Sequence, residues 1–162
     1  MRGNIGYCQR CPTELAEKHI EGRIRQYCPS CEFVVYLDPK VVAAVLVSDG
    51  ERLVMVKRGV EPQMGRWAFP SGYVDRGEVV ERAAVREVKE ETGLDIDLDR
   101  FIGLYSLEGN PVILAVYSAH ITGGNMQAGH DAQEAAWFPL NELNDLPFPH
   151  DQQILSDWRG LI

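Results

Sequence analysis

Three glutamates, Glu87, Glu90 and Glu91, and four cysteines, Cys8, Cys11, Cys28 and Cys31, carry the donor atoms through which this chain could do chemistry. On an α-helix, residues three and four apart share one face, with Cβ atoms about 5–6 Å apart. The three carboxylates would then repel, each like-charged pair costing a helix about 0.2–0.5 kcal/mol. A cation offsets that repulsion, and hard oxygen donors suit Mg²⁺. A solvated acidic face is the plainer reading of E-x-x-E-E, and only the surrounding residues can overturn it.

The cysteines pose the complementary case, with soft sulfur donors. Cys8-Gln-Arg-Cys11 and Cys28-Pro-Ser-Cys31 are two C-x-x-C knuckles separated by sixteen residues. That spacing fits a four-thiolate Zn²⁺ site, each tight turn supplying two ligands of a tetrahedron. Paired disulfides would suit a secreted chain, and a redox C-x-x-C would need a βαβ context absent here. Zinc is the preferred reading. His19 stands between the knuckles but reads as a surface histidine, because the cysteine set is complete. The intervening LAEKHIEGRIRQYC is poor in apolar residues, so this lobe depends on the metal for its fold. Structure or protein contact is the expected role of such a lobe.

The elements that must position the glutamates can be read outward from Gly72 to Leu94. Gly72 and Gly77 bracket a loop free to take unusual backbone angles. Glu78 is expected to open the helix, where its charge suits the positive end of the macrodipole. Ala83 and Ala84 leave room one turn before the carboxylates, and Arg86 can brace Glu87 with a charge-assisted hydrogen bond. Thr92-Gly93 ends the helix. Upstream, Val41–Val47 suits a buried strand, and Leu53–Lys57 is expected to return beside it as a hairpin across Ser48–Glu51. Downstream, Phe101–Tyr105, Val112–Ile121 and Glu134–Leu140 read as strands, with a Gly-rich loop over Thr122–Gln133. A short turn at Asn141–Leu143 and a closing helix over Gln152–Leu161 complete the chain. Tyr36–Lys40, with its Asp38-Pro39 turn, is the expected hinge between residues 1–38 and residues 39–162.

Composition narrows the function classes. The 162 residues are enough for one ordinary domain and a small module. A net charge of −8 argues against nucleic-acid binding through a basic surface. Bound metal ions can still make an acidic site receptive to a polyphosphate. No apolar run approaches the length of a membrane span, and MRGNIGYC lacks the apolar core of a signal peptide, so a cytoplasmic protein is expected.

The run Gly72, five residues, Glu78, seven residues, Arg86-Glu87-Val88-x-Glu90-Glu91-x-Gly93-Leu94 resembles, position for position, the box of the Nudix hydrolases. Gly65-Arg66-Trp67-Ala68-Phe69-Pro70-Ser71 ahead of it also agrees with the family's G-x-W-x-x-P. The resemblance implies an α/β fold, a Nudix α/β/α sandwich with a mixed sheet over residues 39–162, preceded by a zinc ribbon over 1–38. It implies Mg²⁺ or Mn²⁺ held by Glu87, Glu90, Glu91 and the Ser71 backbone carbonyl, with Glu87 as a candidate general base. Glu134 is implied as the alternative base or a further ligand, and Arg86 as part of the catalytic group. The implied reaction is attack of water on a nucleoside diphosphate linked to a further moiety. Trp67, Tyr73 and Tyr105 are the flat side chains expected to stack on the base, with Trp67 equally readable as core.

A ribbon ahead of such a domain is similar to the NADH pyrophosphatases, but their S-Q-P-W-P-F-P-x-S array is missing where Tyr105–Leu114 stands. The likeness is closer to pyrophosphatases acting on FAD and ADP-ribose, with NADH as the alternative. A non-catalytic nucleotide- or partner-binding module is the competing class, and the intact box argues against it. The implied partner is a small-molecule nucleotide diphosphate derivative, and a homodimer is left open.

Overall fold

The structure, a computed structural model, describes residues 6–161, so the outermost ends of the two expected regions lie outside the described residues. The chain divides into two compact units, Met1–Asp38 and Pro39–Ile162.

The first unit is a two-stranded antiparallel ribbon, β1 (Ala16–Ile20) and β2 (Arg23–Tyr27). Glu21 and Gly22 both take positive φ in the turn between them, as the tight hairpins that match strand twist require. Among its described residues only Cys8, Cys28 and Val35 are buried. That is too little apolar material to hold a fold without a crosslink.

The second unit is built from β3 (Lys40–Val47), β4 (Arg52–Arg58), β5 (Trp67–Ala68), β6 (Ser71–Tyr73), α1 (Val80–Thr92), β7 (Leu94–Ser106), β8 (Val112–Gly124), β9 (Ala132–Pro139) and α2 (Asp151–Arg159). One sheet has the order β6-β3-β8-β7 and the other β5-β4-β9. β3 runs parallel to β8 and antiparallel to β6, so the larger sheet is mixed. Side chains alternate across the strands into two cores. Ala43, Val45, Val47 and Val54 meet Ala83, Ala84 and Val88 of α1, whereas Ala44, Leu46, Leu53 and Met55 meet Ile154, Leu155 and Trp158 of α2. The strands therefore form the middle layer of the expected α/β/α sandwich.

Several local expectations change. β3 and β4 do not form a hairpin: each lies between two other strands in its own sheet, and only a bridge at Ser48 and Leu53 joins them. Both are apolar on both faces, and a strand buried on both faces takes a central position rather than a rim pairing. β7 begins at Leu94 instead of Phe101, with bulges that bend it along β8. Its Leu94, Ile96 and Leu98 alternate with aspartates, a period-two pattern masked by the low strand propensity of Asp. The short turn before α2 is a 3₁₀ turn over Leu140–Glu142.

Candidate active site

α1 buries Ala83, Ala84 and Val88 against the sheet, which turns Glu87 and Glu91 toward β6 and leaves Glu90 exposed. The alanines thus serve close helix–sheet contact rather than space above the carboxylates. The backbone N–H of Ser71 donates to Glu91 Oε2 at 2.8 Å. At Gly72 an added Cβ would fall on the Glu87 carboxylate. Gly72 has no positive φ, so this glycine is required for close approach and not for backbone angle. Gly77 does take a positive φ, of 88°.

Arg86 organises the cluster. Its Nε and Nη2 donate to the two oxygens of Glu78 at 2.8 and 2.9 Å, and Nη1 donates to Glu87 at 2.7 Å and Glu90 at 3.0 Å. Nη2 also donates to the Tyr73 carbonyl at 3.1 Å. A guanidinium has five N–H donors, and these five bonds use them all. Glu78 does not open the helix: α1 starts at Val80 after an extended Val79, and Glu78 folds back to accept from Asp75 N–H as well as from Arg86. The Arg86 fork, followed by the Asp75 N–H, holds the Glu78 carboxyl down at about 2.

Burial acts in the opposite direction on the other two carboxylates. It pushes Glu91 up to about 7, partly countered by Ser71 N–H, and raises Glu87 against the pull of Arg86. Two inward carboxylates, each disfavoured as an anion, describe a donor set short of positive charge. Hard oxygen donors in that condition fit a divalent Mg²⁺ or Mn²⁺ ion.

Arg86, Glu87, Glu90 and Glu91 line a cavity of about 520 Å³. Tyr73, Tyr105, Leu107, Leu114 and Phe148 add apolar and aromatic lining, while Arg58 and Asp131 add charge. Tyr73 is half exposed, with Lys40 Nζ 4.9 Å from its ring centroid. Tyr105 is buried and donates its hydroxyl to Asp157 at 2.8 Å. Trp67 does not reach the cavity: it packs against Phe138 with ring centroids 4.7 Å apart and joins the α2-side core. Glu134 is also outside the lining, exposed on β9 and paired with Lys57 at 2.7 Å.

Sequence reasoning missed Arg58, Phe148, His150 and Asp131, all of which line the cavity. They come from outside the box: the end of β4, the loop before β9 and the stretch ahead of α2. Asp131 arrives because the Gly-rich loop folds over the end of α1, where Gln127 and Gly129 N–H groups donate to the carbonyls of Thr92 and Glu91.

In the other unit, the four cysteine sulfurs lie within 4.8 Å of one another and none is in a disulfide. Backbone N–H groups of Arg10 and Cys31 donate to Cys8 and Cys28 Sγ at 3.3 and 3.5 Å. The Cys31 N–H is the first cause that brings the Cys28 thiol down to about 6, toward the thiolate that binds metal. Four sulfurs converging within ligand reach of one point fit Zn²⁺. His19 lies exposed on β1 and is not part of the cluster.

A family description, NUDIX domain, matches residues 38–158. The chain belongs to the Nudix family. It is similar to an "ADP-ribose pyrophosphatase" of Methanocaldococcus jannaschii, 38% identical over 131 residues that cover 78% of this chain and 77% of that protein. It is 30% identical to the "NAD-capped RNA hydrolase NudC" of Pseudomonas aeruginosa over 144 residues, 87% of this chain, and spans only 50% of that protein. The fold matches the crystal structure of a Nudix hydrolase from Nitrosomonas europaea with a TM-score of 0.86 at 24% identity, covering 94% of this chain and 89% of that one. The protein is thus a Nudix pyrophosphohydrolase, and none of its described helices is long and apolar enough to cross a membrane.

Proposed function

We propose that this Nudix enzyme hydrolyses the pyrophosphate bond of an ADP-linked nucleotide, ADP-ribose or FAD, releasing AMP with ribose 5-phosphate or FMN. The observation that carries this reading is a single cavity lined both by the box carboxylates and by aromatic and aliphatic side chains. A pyrophosphate needs the first kind of lining and a nucleoside the second. The 38% identity to an ADP-ribose pyrophosphatase supports the same class.

Glu87, Glu90, Glu91 and the Ser71 carbonyl would hold Mg²⁺ or Mn²⁺. When bound, the ion screens phosphate charge and lowers the pKa of the attacking water. Arg86 keeps Glu87 and Glu90 in register through Nη1, and its bonds to Glu78 and the Tyr73 carbonyl tie the loop before α1 to the cluster. Of the two candidate bases, Glu87 lines the cavity and Glu134 does not, so the role falls to Glu87 in this proposal. Tyr73, half exposed, offers a face for the base; Tyr105 lines the cavity from the α2-side core, and Trp67 drops out of that set. In the ribbon, Cys8, Cys11, Cys28 and Cys31 hold Zn²⁺ in a structural role.

Side-by-side kcat/KM for ADP-ribose, FAD, NADH and dGTP, with Mg²⁺ and with Mn²⁺, tests the proposal. ADP-ribose or FAD should lead. The similarity to NudC favours a second reading, a nicotinamide dinucleotide substrate. NADH leading by about tenfold, a difference of about 1.4 kcal/mol in transition-state stabilisation, would establish that reading instead.

A further inference from the structure

The β1–β2 hairpin sorts its charges onto two faces. Residues directly opposite in an antiparallel pair point to the same side, and successive residues alternate. The pairs Lys18–Arg25, Ile20–Arg23 and Ala16–Tyr27 therefore share one face, while Glu17–Gln26 and His19–Ile24 share the other. The first face gathers three cations and a tyrosine, with no carboxylate among its paired residues. The net charge of −8 belongs to the chain as a whole. Residues 1–38 hold five basic and five acidic side chains, so pairing across the hairpin, and not the total, gives this face its sign.

These cations rest on aromatic rings more than on carboxylates. Lys18 Nζ lies 4.6 Å from the Tyr27 ring centroid, and Arg25 Cζ lies 4.6 Å from that of Tyr36. Tyr36 is 54% exposed, so much of its ring is open to a partner. Lys18 and Arg23 are exposed, and among the described residues neither has an ion pair. Arg25 has one long carboxylate contact, 3.8 Å to Glu21 in the turn, and its Nε is buried without a hydrogen-bond partner. Arg23 and Arg25 stand two residues apart on one strand, about 6.6–7 Å, so the charges form a row rather than a point. A membrane surface rewards apolar side chains beside such a row, and this face offers only the small Ala16 and the half-buried Ile20. An acidic peptide engages the cations and leaves the rings without a task. A single strand of nucleic acid engages both: phosphates draw off the cations, and unstacked bases take the ring faces they vacate.

We propose that this face of the ribbon binds single-stranded nucleic acid without sequence preference, Lys18, Arg23 and Arg25 taking backbone phosphates while Tyr36 stacks on a base. The site uses none of the box residues and is independent of the substrate hydrolysed there. The plainer role, a solvated hairpin face around a structural zinc, predicts no saturable binding.

The test follows the fluorescence anisotropy of labelled oligouridylate and oligothymidylate, each of about twelve nucleotides, with zinc-loaded full-length protein as salt rises. A Kd on the order of 10 µM is expected at low salt for either strand. Three phosphate contacts at about 0.7 each give a slope of log K against log salt of about −2. Lys18→Gln combined with Arg23→Gln should bring the slope to about −0.7 and weaken low-salt binding about tenfold. Tyr36→Ala should weaken binding about fivefold with the slope unchanged, and Glu17→Gln on the opposite face should not weaken it. Lys18 and Arg23 are exposed, so the double variant should keep wild-type zinc content and hydrolysis. If it loses zinc, the slope of Lys18→Gln alone decides. A Kd above about 1 mM for both strands, or a slope the lysine and arginine changes leave unaltered, overturns the proposal. So does equally tight binding of a duplex of the same length, or of polyglutamate, which would make the face a reader of charge alone.

Discussion

The protein gathers ligand atoms in two places by opposite means. In the ribbon, each C-x-x-C turn brings two sulfurs together locally, and backbone N–H groups of the same turns orient them. In the catalytic domain, the carboxylates share one helix, but their environment comes from elsewhere: Ser71 and Gly72 on β6, Glu78 on a loop, and the 125–131 segment closing the helix end. Burial differs as sharply. The ribbon buries only Cys8, Cys28 and Val35 among its described residues, whereas α1 is seated on a continuous core. On the proposed function, a site made from turns would need its metal for the fold, while a site made from a packed helix would keep its shape and need the metal for charge.

The strongest way to break this contrast is Glu87→Gln, which keeps the size of the side chain and removes its charge. Turnover is expected to fall by roughly two to four orders of magnitude, with the melting temperature nearly unchanged because relief of carboxylate repulsion offsets the weakened Arg86 contact. Near-normal turnover would show that this helix is not the catalytic face.

Cys28→Ala should have the reverse profile. Purified wild type is expected to contain about one zinc per chain, and the variant should lose it and loosen residues 6–38 while hydrolysis persists in part. Elemental analysis and hydrogen exchange read the two effects separately. Zinc-free wild type with four thiols that react in the native state would remove the ribbon from the comparison.

A smaller effect should appear in the pH dependence of stability. Burial raises the Glu91 carboxyl from an ordinary 4.5 to about 7 in the folded protein, so the native state binds this proton more tightly than the unfolded chain. Its stabilising contribution is complete below 4.5 and is lost as pH rises through about 7. In EDTA, stability should therefore decline across that window, by on the order of 1–3 kcal/mol from this group. Saturating Mg²⁺ should flatten the decline, since the ion takes the place of the proton. Denaturant melts at several pH values with and without Mg²⁺ supply the measurement, and an identical slope in both would refute a metal-bound Glu91.

Glu134→Gln is expected to do least. The exposed pair with Lys57 is worth about 0–1 kcal/mol, and turnover should remain within about threefold of wild type. A loss approaching that of Glu87→Gln would bring Glu134 back as the base.

The sequence by itself determined the ligand atoms and the covalent spacing that serves them. A helix through Glu87, Glu90 and Glu91 must put them on neighbouring positions, and two C-x-x-C turns must each present two sulfurs, because both relations are short-range geometry. The two-face burial of Val41–Val47 was legible for the same reason. Sequence spacing could not decide that Val41–Val47 and Leu53–Lys57 lie in different sheets, since apolar runs do not name their partners. Nor could it show that Gly72 serves a carboxylate's approach, that Trp67 belongs to the core and Glu134 to a surface pair, or that Arg58, Asp131 and Phe148 meet the box helix at one cavity. Those facts depend on segments far apart in the chain whose distance is set only when both cores close, so only the tertiary structure could decide them.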